Sequence, residues 1–278
     1  MRINTNVASL QAQSSNSVNN KNTASSLEKL STGLQINKAS DNAAGLAIAD
    51  KLRTQASSLT QATSNGNSAV AMLQIADQAM AEQSNILDII KTKLVQASTA
   101  TTSTDGVVAL DADIKKLLTQ VDNISKDTNY NGINLISDSA GTAVAAEKIF
   151  QMGENATAQI TLKASINANT TGLAILTADM SIGTNAEASA LLATVDTALT
   201  TLSNMRSKVG STQNQVESSV RNLEVRTVNI QAAESQIRDV DYAAESANFN
   251  KLNIISQAGT YAISQANSSA QNVMTLLR

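Results

Sequence analysis

Ser26-Leu27-Glu28-Lys29 fits the S-x-x-K pattern in which a lysine activates a serine for acyl transfer, but the Lys-Thr-Gly motif that completes such sites is missing. The same stretch reads more simply as a helical turn, with Ser25-x-x-Glu28 as a capping box. Asp239 and Asp241 are close in sequence, yet positions two apart on a helix point in different directions and do not form a carboxylate pair. The chain has no His and no Cys, which removes the commonest general base, the commonest metal ligand and any thiolate. No catalytic residue, metal or cofactor is assigned, and the protein reads as a non-enzyme. Asn123-Ile124-Ser125, Asn155-Ala156-Thr157, Asn169-Thr170-Thr171 and Asn267-Ser268-Ser269 match the N-glycosylation pattern.

The elements around these residues are dictated by composition. None of the 278 residues is Pro, where average usage would supply about 14. Pro breaks helix interiors at a cost of about 3 kcal/mol, so long uninterrupted helices are expected. Two Phe, three Tyr and no Trp leave few large anchors, and the apolar share of 42% is carried by Ala, Ile, Leu and Val. A net charge of -3 and scattered Lys and Arg provide no basic footprint for nucleic acid. The opening Met1 to Asn6 lacks the apolar block of a secretory signal peptide, so export is expected to use another route.

The two ends stand apart. Leu252 to Leu277 carries no charge, but its many Asn, Ser, Gln and Thr rule out a bilayer span, because those groups would lack partners in hydrocarbon. Ile255, Ala258, Ala262, Ala266, Ala270, Val273 and Leu277 mark one narrow helical stripe, and Ile3, Val7, Leu10, Ser14 and Val18 mark a similar one at the other end. Ordering a residue costs about 1–2 kcal/mol, against a return of about 0.8 kcal/mol per buried CH2. An Ala and Ser seam therefore orders only when packed on other small-residue helices. The opposite terminus and further copies of the chain are the expected partners.

Between the ends, steps of three and four run through Val195, Ala198, Leu202, Met205, Val209, Thr212, Val216, Ser219, Leu223, Arg226, Ile230, Ala233, Ile237 and Val240. Ala69, Leu73, Ala76, Met80, Gln83, Leu87, Ile90 and Leu94 keep the same alternation, as do Leu110, Ile114, Leu117, Val121 and Ile124. Gly33 is placed to stop the first helix and Asp41 to cap the second. Asp105-Gly106 is expected to separate two helices, Asn65-Gly66 to kink one, and Asn131-Gly132, whose Gly permits positive φ, to make a turn that ends the helical part of the first half. Periodicity weakens over about 136–185, where Lys148 to Met152 and Ala158 to Lys163 alternate like strands, and this is the only β region expected. The fold class is mainly α: an elongated antiparallel helical bundle with coiled-coil-like terminal helices and a small β-hairpin region.

The run Leu30-Ser31-Thr32-Gly33-Leu34-Gln35-Ile36-Asn37 into Asp41-Asn42-Ala43-Ala44-Gly45-Leu46 resembles bacterial flagellin, as do Thr128 to Leu135 and Ile237 to Tyr242. The resemblance covers about 1–136 and 188–278. It implies a filament-core helix at 1–40, bundle helices at 41–135 and 188–238, a short variable insert with a β-hairpin at 136–187, and a second filament-core helix at 239–278. It further implies a secreted subunit that self-assembles into the flagellar filament for swimming motility, lies outside the cell, and is exported without a cleaved signal peptide. Self-assembly is then expected of Ile3, Val7, Leu10, Val18, Ile255, Ala258, Ala262, Ala266, Val273 and Leu277. The partners implied are the chain itself, the flagellar type III export machinery, a chaperone on the C-terminal segment, and cap and hook-junction proteins, with no membrane insertion. Any sugars would sit on Ser or Thr of the insert.

The chain departs from the family pattern at Gln35, where Arg is common, at Asn42, where a second acid is common, and at Ser269-Ala270, where many members have Val-Pro. The last helix is therefore expected to run unkinked. Members sensed by the vertebrate innate receptor carry Arg, Glu and Leu before a Val-Gln step. Here Ile89 or Lys91, Thr92 and Lys93 stand in that region, which points to receptor evasion, while the plainer reading puts Ile89 and Ile90 in the core and the lysines in solvent. A hook-filament junction protein and a secreted coiled-coil adhesin or translocator are the alternatives; the continuity of residues 30–49 favours the filament subunit.

Overall fold

A computed structural model describes residues 5–137, 147–162, 166–175 and 181–276. Helix α1 spans Val7–Thr32, with Asn6 capping it by accepting from Ser9 N at 3.1 Å. Gly33 ends it in the left-handed region at φ 74°, donating its N–H to Lys29 O at 2.9 Å. Helix α2 spans Ala43–Ser98 and α3 spans Thr104–Asp127. Strands β1 (Asn129–Tyr130) and β2 (Ile133–Asn134) form an antiparallel pair, as do β3 (Lys148–Gln151) and β4 (Gln159–Leu162). Helices α4 (Asn185–Arg238) and α5 (Tyr242–Leu276) complete the described elements. Helix α5 continues through Ser269 and Ala270, as the missing Pro predicts.

Residue contacts divide the chain into two compact units, one of residues 1–56 with 228–278 and one of residues 57–227. The second unit has an ordinary apolar core. All eight seam positions expected in α2, from Ala69 to Leu94, are buried. In α3 the buried set is Val107, Ile114, Leu118, Val121 and Ser125, so Leu118 replaces the expected Leu117 and Ser125 replaces Ile124. The α4 seam holds from Val195 to Val216, after which Val220 is buried in place of Ser219, and Arg226 is exposed. Both shifts are one residue wide. They are local choices of a neighbouring residue, because the expected Val121 and Leu223 are buried on the same helices.

Several connections differ from expectation. Asp105 and Gly106 lie inside the first turn of α3, and the break falls at residues 99–103, where Ser103 caps α3 by accepting from Gly106 N at 3.2 Å. Helix α2 is not divided at Gly66. A Cβ there would lie 2.4 Å from Val220 Cγ2 and 2.8 Å from Met152 Cε, so the absent side chain admits α4 and the residue after β3. The expected turn at Asn131 (φ 51°) and Gly132 (φ 78°) has both φ positive, the type I′ arrangement that suits tight hairpins, and it pairs β1 with β2 outside 136–185, the only β region expected. Helix α4 starts on a capping box that the periodicity hid: Glu187 Oε2 accepts from Gly183 N and Thr184 N at 2.8 and 3.0 Å.

The residue that caps α2 is Asn42, whose Oδ1 accepts from Gly45 N at 2.9 Å, and not Asp41. Asp41 looks backwards instead: its Oδ2 accepts from Lys38 N at 2.9 Å and Asn37 N at 3.1 Å. Those two amides, Lys38 first, hold the Asp41 carboxyl below its ordinary value, aided by the positive charges of Lys29 and Lys38.

Two outcomes are expected. Gly66→Val lowers the stability of the 57–227 unit by about 1–3 kcal/mol through overpacking, read as a lower Tm in thermal circular dichroism. Because the folded Asp41 carboxyl ionises below the unfolded one, its contribution is complete above the usual carboxylate range and is lost as pH falls through its depressed value. The protection of the Asn37 and Lys38 amides, measured against their intrinsic exchange rates, therefore falls on acidification, and Asp41→Ala removes that pH response.

Candidate functional site

The terminal helices α1 and α5 pack antiparallel, and they do so through an unusually polar seam. In α1 the positions that lose exposure are Ser9, Ala12, Asn16, Asn19, Thr23, Ser26 and Leu30, spaced alternately by three and four residues. Asn19 and Ser26 are the fully buried ones. In α5 the matching positions are Glu245, Phe249, Leu252, Ser256, Gly259, Ile263 and Ala266.

Side chains stitch these helices to each other's backbone. Asn6 Nδ2 donates to Ala266 O at 3.0 Å and Asn19 Nδ2 donates to Leu252 O at 2.9 Å. Ser256 Oγ donates to Asn20 Oδ1 at 2.9 Å, and Ser26 Oγ donates to the Glu245 carboxylate. A Cβ on Gly259 would sit 3.0 Å from Asn16 Oδ1, so this glycine is where the helices approach closely. Asn16 Oδ1 itself is buried without a hydrogen-bond partner among the described residues. A net hydrogen bond contributes about 1 kcal/mol, and a buried Asn in a helical seam fixes register at some cost in stability.

Leu30, Phe249, Leu252 and Ile263 are half-buried in the seam, but other large apolar side chains point elsewhere. Val7, Leu10 and Val18 on α1 are exposed, and so are Ile254, Ile255 and Tyr261 on α5. Ala258 and Ala262 are exposed as well, while Ala266 is half-buried in the seam. The expected assembly stripe is thus left uncovered within the chain, apart from Ala266. Ile3 and Leu277 lie outside the described residues, as does the side chain of Val273.

The family-motif residues build the connection between α1 and α2 and tie it to the α4–α5 junction. Leu34 bridges Asp239, with Gln35 N donating to Arg238 O at 2.7 Å and Val240 N donating to Gly33 O at 3.0 Å. Ile36 is buried and a Cβ on Gly45 would meet its Cδ1 at 2.8 Å, so Gly45 makes room for it. Asn37 Nδ2 donates to Leu34 O at 3.1 Å. Leu30 and Leu46 are half-buried, and Ala43 and Ala44 are exposed on the first turn of α2. Arg238 lies 3.7 Å from Asp50 and 3.9 Å from Glu234.

The residues that could suggest chemistry are structural. Ser26 is buried in the seam, Lys29 is in the last turn of α1, and Ser25 and Glu28 lie inside that helix, so no capping box forms there. Ser40-Asp41-Asn42 supplies a Ser-Asp-Asn triplet, but its Asp41 and Asn42 are engaged with backbone amides as described. Asp241 caps α5 through Ala243 N and Ala244 N at 3.0 and 3.1 Å, and Asp239 accepts from Ser235 Oγ at 2.6 Å. Asn169 is buried and accepts from Gly172 N at 2.6 Å, so that glycosylation sequon is consumed by packing. In the 89–93 segment Ile90 is in the core, but Ile89 is 46% exposed, against the plainer reading. Lys91 pairs with Asp196, Lys93 pairs with Asp113 at 3.2 Å, and Thr92 Oγ1 donates to Ile89 O at 2.8 Å.

Comparison with known proteins bears on this arrangement of paired ends. The model of the bacterial flagellin N-terminal helical region matches residues 3–141, and that of the bacterial flagellin C-terminal helical region matches residues 192–277. Flagellin of Bacillus subtilis (strain 168) is 38% identical over the whole of both chains, and a flagellar filament 31.3 kDa core protein of Treponema maltophilum is 31% identical, also over the whole of both. Among solved structures, Bacillus cereus flagellin superposes with a TM-score of 0.50 at 24% identity, covering 62% of this chain and 94% of that one. A putative flagellar hook-associated protein from Vibrio parahaemolyticus superposes at 0.58 with 12% identity, covering 72% and 100%; both likenesses speak to the fold alone. With its length shared end to end and both helical regions matched, the chain belongs to the bacterial flagellins.

Proposed function

We propose that the outward faces of α1 and α5 are the surfaces by which this flagellin polymerises. As a member of its family the protein is a structural subunit of the flagellar filament outside the cell and assembles with copies of itself. The observation that carries the finer reading is the division of labour in the terminal pair. Mostly small and polar residues of α1 close the seam against Phe249, Leu252 and Ile263 of α5, and Val7, Leu10, Val18, Ile254 and Ile255 remain exposed. Scattered apolar residues on a surface are ordinary, but an apolar stripe on each of two paired helices is a surface awaiting burial.

In this reading residues 1–40 and 239–278 form the filament core, 41–135 and 188–238 form the surrounding bundle, and 136–187 is the short insert. The export machinery of the flagellar type III pathway, a chaperone on the C-terminal segment, and cap and hook-junction proteins are the partners that accompany such a role. A weakly apolar seam suits that itinerary, because a pair held by a handful of hydrogen bonds opens at low cost. No specific observation favours a junction protein or an adhesin.

The 89–93 segment carries a second, smaller proposal. Lys91 and Lys93 are each engaged by an aspartate, and the Arg, Glu and Leu set of receptor-sensed members is absent, so the innate receptor is expected to bind poorly.

Ala262→Glu tests the main reading. Ala262 is exposed in the chain, so the variant monomer keeps its thermal transitions, yet polymerisation would bury an unpaired carboxylate in every subunit, and sedimentable filaments are lost. Filaments formed as readily as by the parent protein would refute the assignment of this face. For the 89–93 segment, reporter cells bearing the innate receptor respond several-fold to orders of magnitude more weakly than to a flagellin with the full Arg, Glu and Leu set.

A further inference from the structure

We propose that an acid-rimmed groove between α2 and the end of α3 receives the Arg221–Val225 turn of α4 from a second copy of the chain. The proposal rests on the filament reading above and names one lateral contact outside the terminal helices.

The groove is lined by Ile75, Gln78, Ala79, Glu82, Ile124 and Asp127. Its floor is apolar, with Ile75 41% exposed and Ala79 and Ile124 half-buried, and its rim carries the Glu82 and Asp127 carboxylates. Neither carboxylate takes part in an ion pair among the described residues; Glu82 Oε2 accepts only a long 3.4 Å bond from Asn85. The groove also lies on a helical seam that faces outwards: Ile75, Gln78, Glu82, Asn85 and Ile89 are all exposed and alternate in steps of three and four. That spacing accepts a partner helix by 3-4 packing.

A side chain with an apolar stem and a cationic head would satisfy floor and rim together. Within residues 57–227, α4 presents that combination. Arg221 is exposed and forms no ion pair among the described residues, and Val225, one turn on, is 62% exposed. With Asn214 and Ser218 they form an outward seam of the same spacing, on the side of α4 away from its buried Val216, Val220 and Leu223. A contact between two different patches of identical subunits is heterologous, the kind that propagates a helical polymer and does not close into a dimer.

Charge reversal on the full-length protein tests this. Glu82→Arg and Arg221→Glu each lower the extent of polymerisation, measured by sedimentation and electron microscopy, by about tenfold in critical concentration for a loss near 1.4 kcal/mol. The double variant Glu82→Arg with Arg221→Glu restores filaments towards the parent level, which a purely structural lesion would not allow. Thermal unfolding of each monomer confirms that the 57–227 unit remains folded. Single variants that polymerise like the parent, or folded single variants that the double variant fails to rescue, overturn the contact. Polymerisation of the parent in the same assay keeps that failure separate from failure of the filament reading.

Discussion

The structure depends on how little apolar area the terminal helices place between themselves. Along α1 the seam is Ser9, Ala12, Asn16, Asn19, Thr23 and Ser26, residues that return almost nothing through transfer from water. Such helices meet because their side chains are small enough for close approach, most clearly at Gly259 against Asn16, and because amides reach across to carbonyls on the other helix. These bonds are directional, so they fix antiparallel register more than they add stability. Val7, Leu10, Val18, Ile254 and Ile255 are left exposed on the outer faces.

The 57–227 unit follows the opposite logic. Leu59, Leu73, Met80, Leu87, Ile90 and Leu94 of α2 are buried with Ile114, Leu118 and Val121 of α3 and Val195, Leu202 and Val209 of α4, a core that needs no second copy. The short insert buries Ile136, Met152, Ile160, Leu162, Leu173 and Ile175, and polar clamps add to that packing. Gln83, fully buried, donates from Nε2 to Val121 O at 3.1 Å and Ala168 O at 2.8 Å, which joins α3 to the segment at 166–175. Asp122 accepts from Thr170 N and Oγ1, and Asp111 accepts from Ile182 N. A self-sufficient unit joined to a dependent one suits a subunit that must exist singly and then polymerise.

Much of the bundle was legible from spacing because large aliphatic side chains leave one way to bury them. Every expected α2 seam position is buried, and the strands at 148–151 and 159–162 fall inside the segments whose alternation marked them. The turn at Asn131-Gly132 was readable from a glycine that permits positive φ, but the two short strands it joins were not, because two residues are too few to show an alternation. The caps were harder. Asp41 and Asn42 are both good capping residues, and only the path of the backbone decides that Asn42 serves α2 while Asp41 turns back to Lys38. Ser103 serving α3 ahead of Asp105-Gly106 is a local choice of the same kind, whereas the close contact at Gly66 is made by Val220 and Met152, neighbours distant in sequence.

The sequence by itself determined that this protein is built of long helices, that its two ends are poor in large apolar side chains, and that its family signature lies at residues 30–46. Absent Pro, His and Cys and a shortage of aromatics are properties of composition, and no tertiary contact can alter what they exclude. Which stripe of each terminal helix faces inwards was decided only by the tertiary structure. A helix of Ala, Ser, Asn and Gln offers several stripes of nearly equal energy, and the polar one meets its partner because Asn19 and Asn6 find carbonyls on α5 at bonding distance. The apolar stripe, more conspicuous in the sequence, is thereby turned outwards.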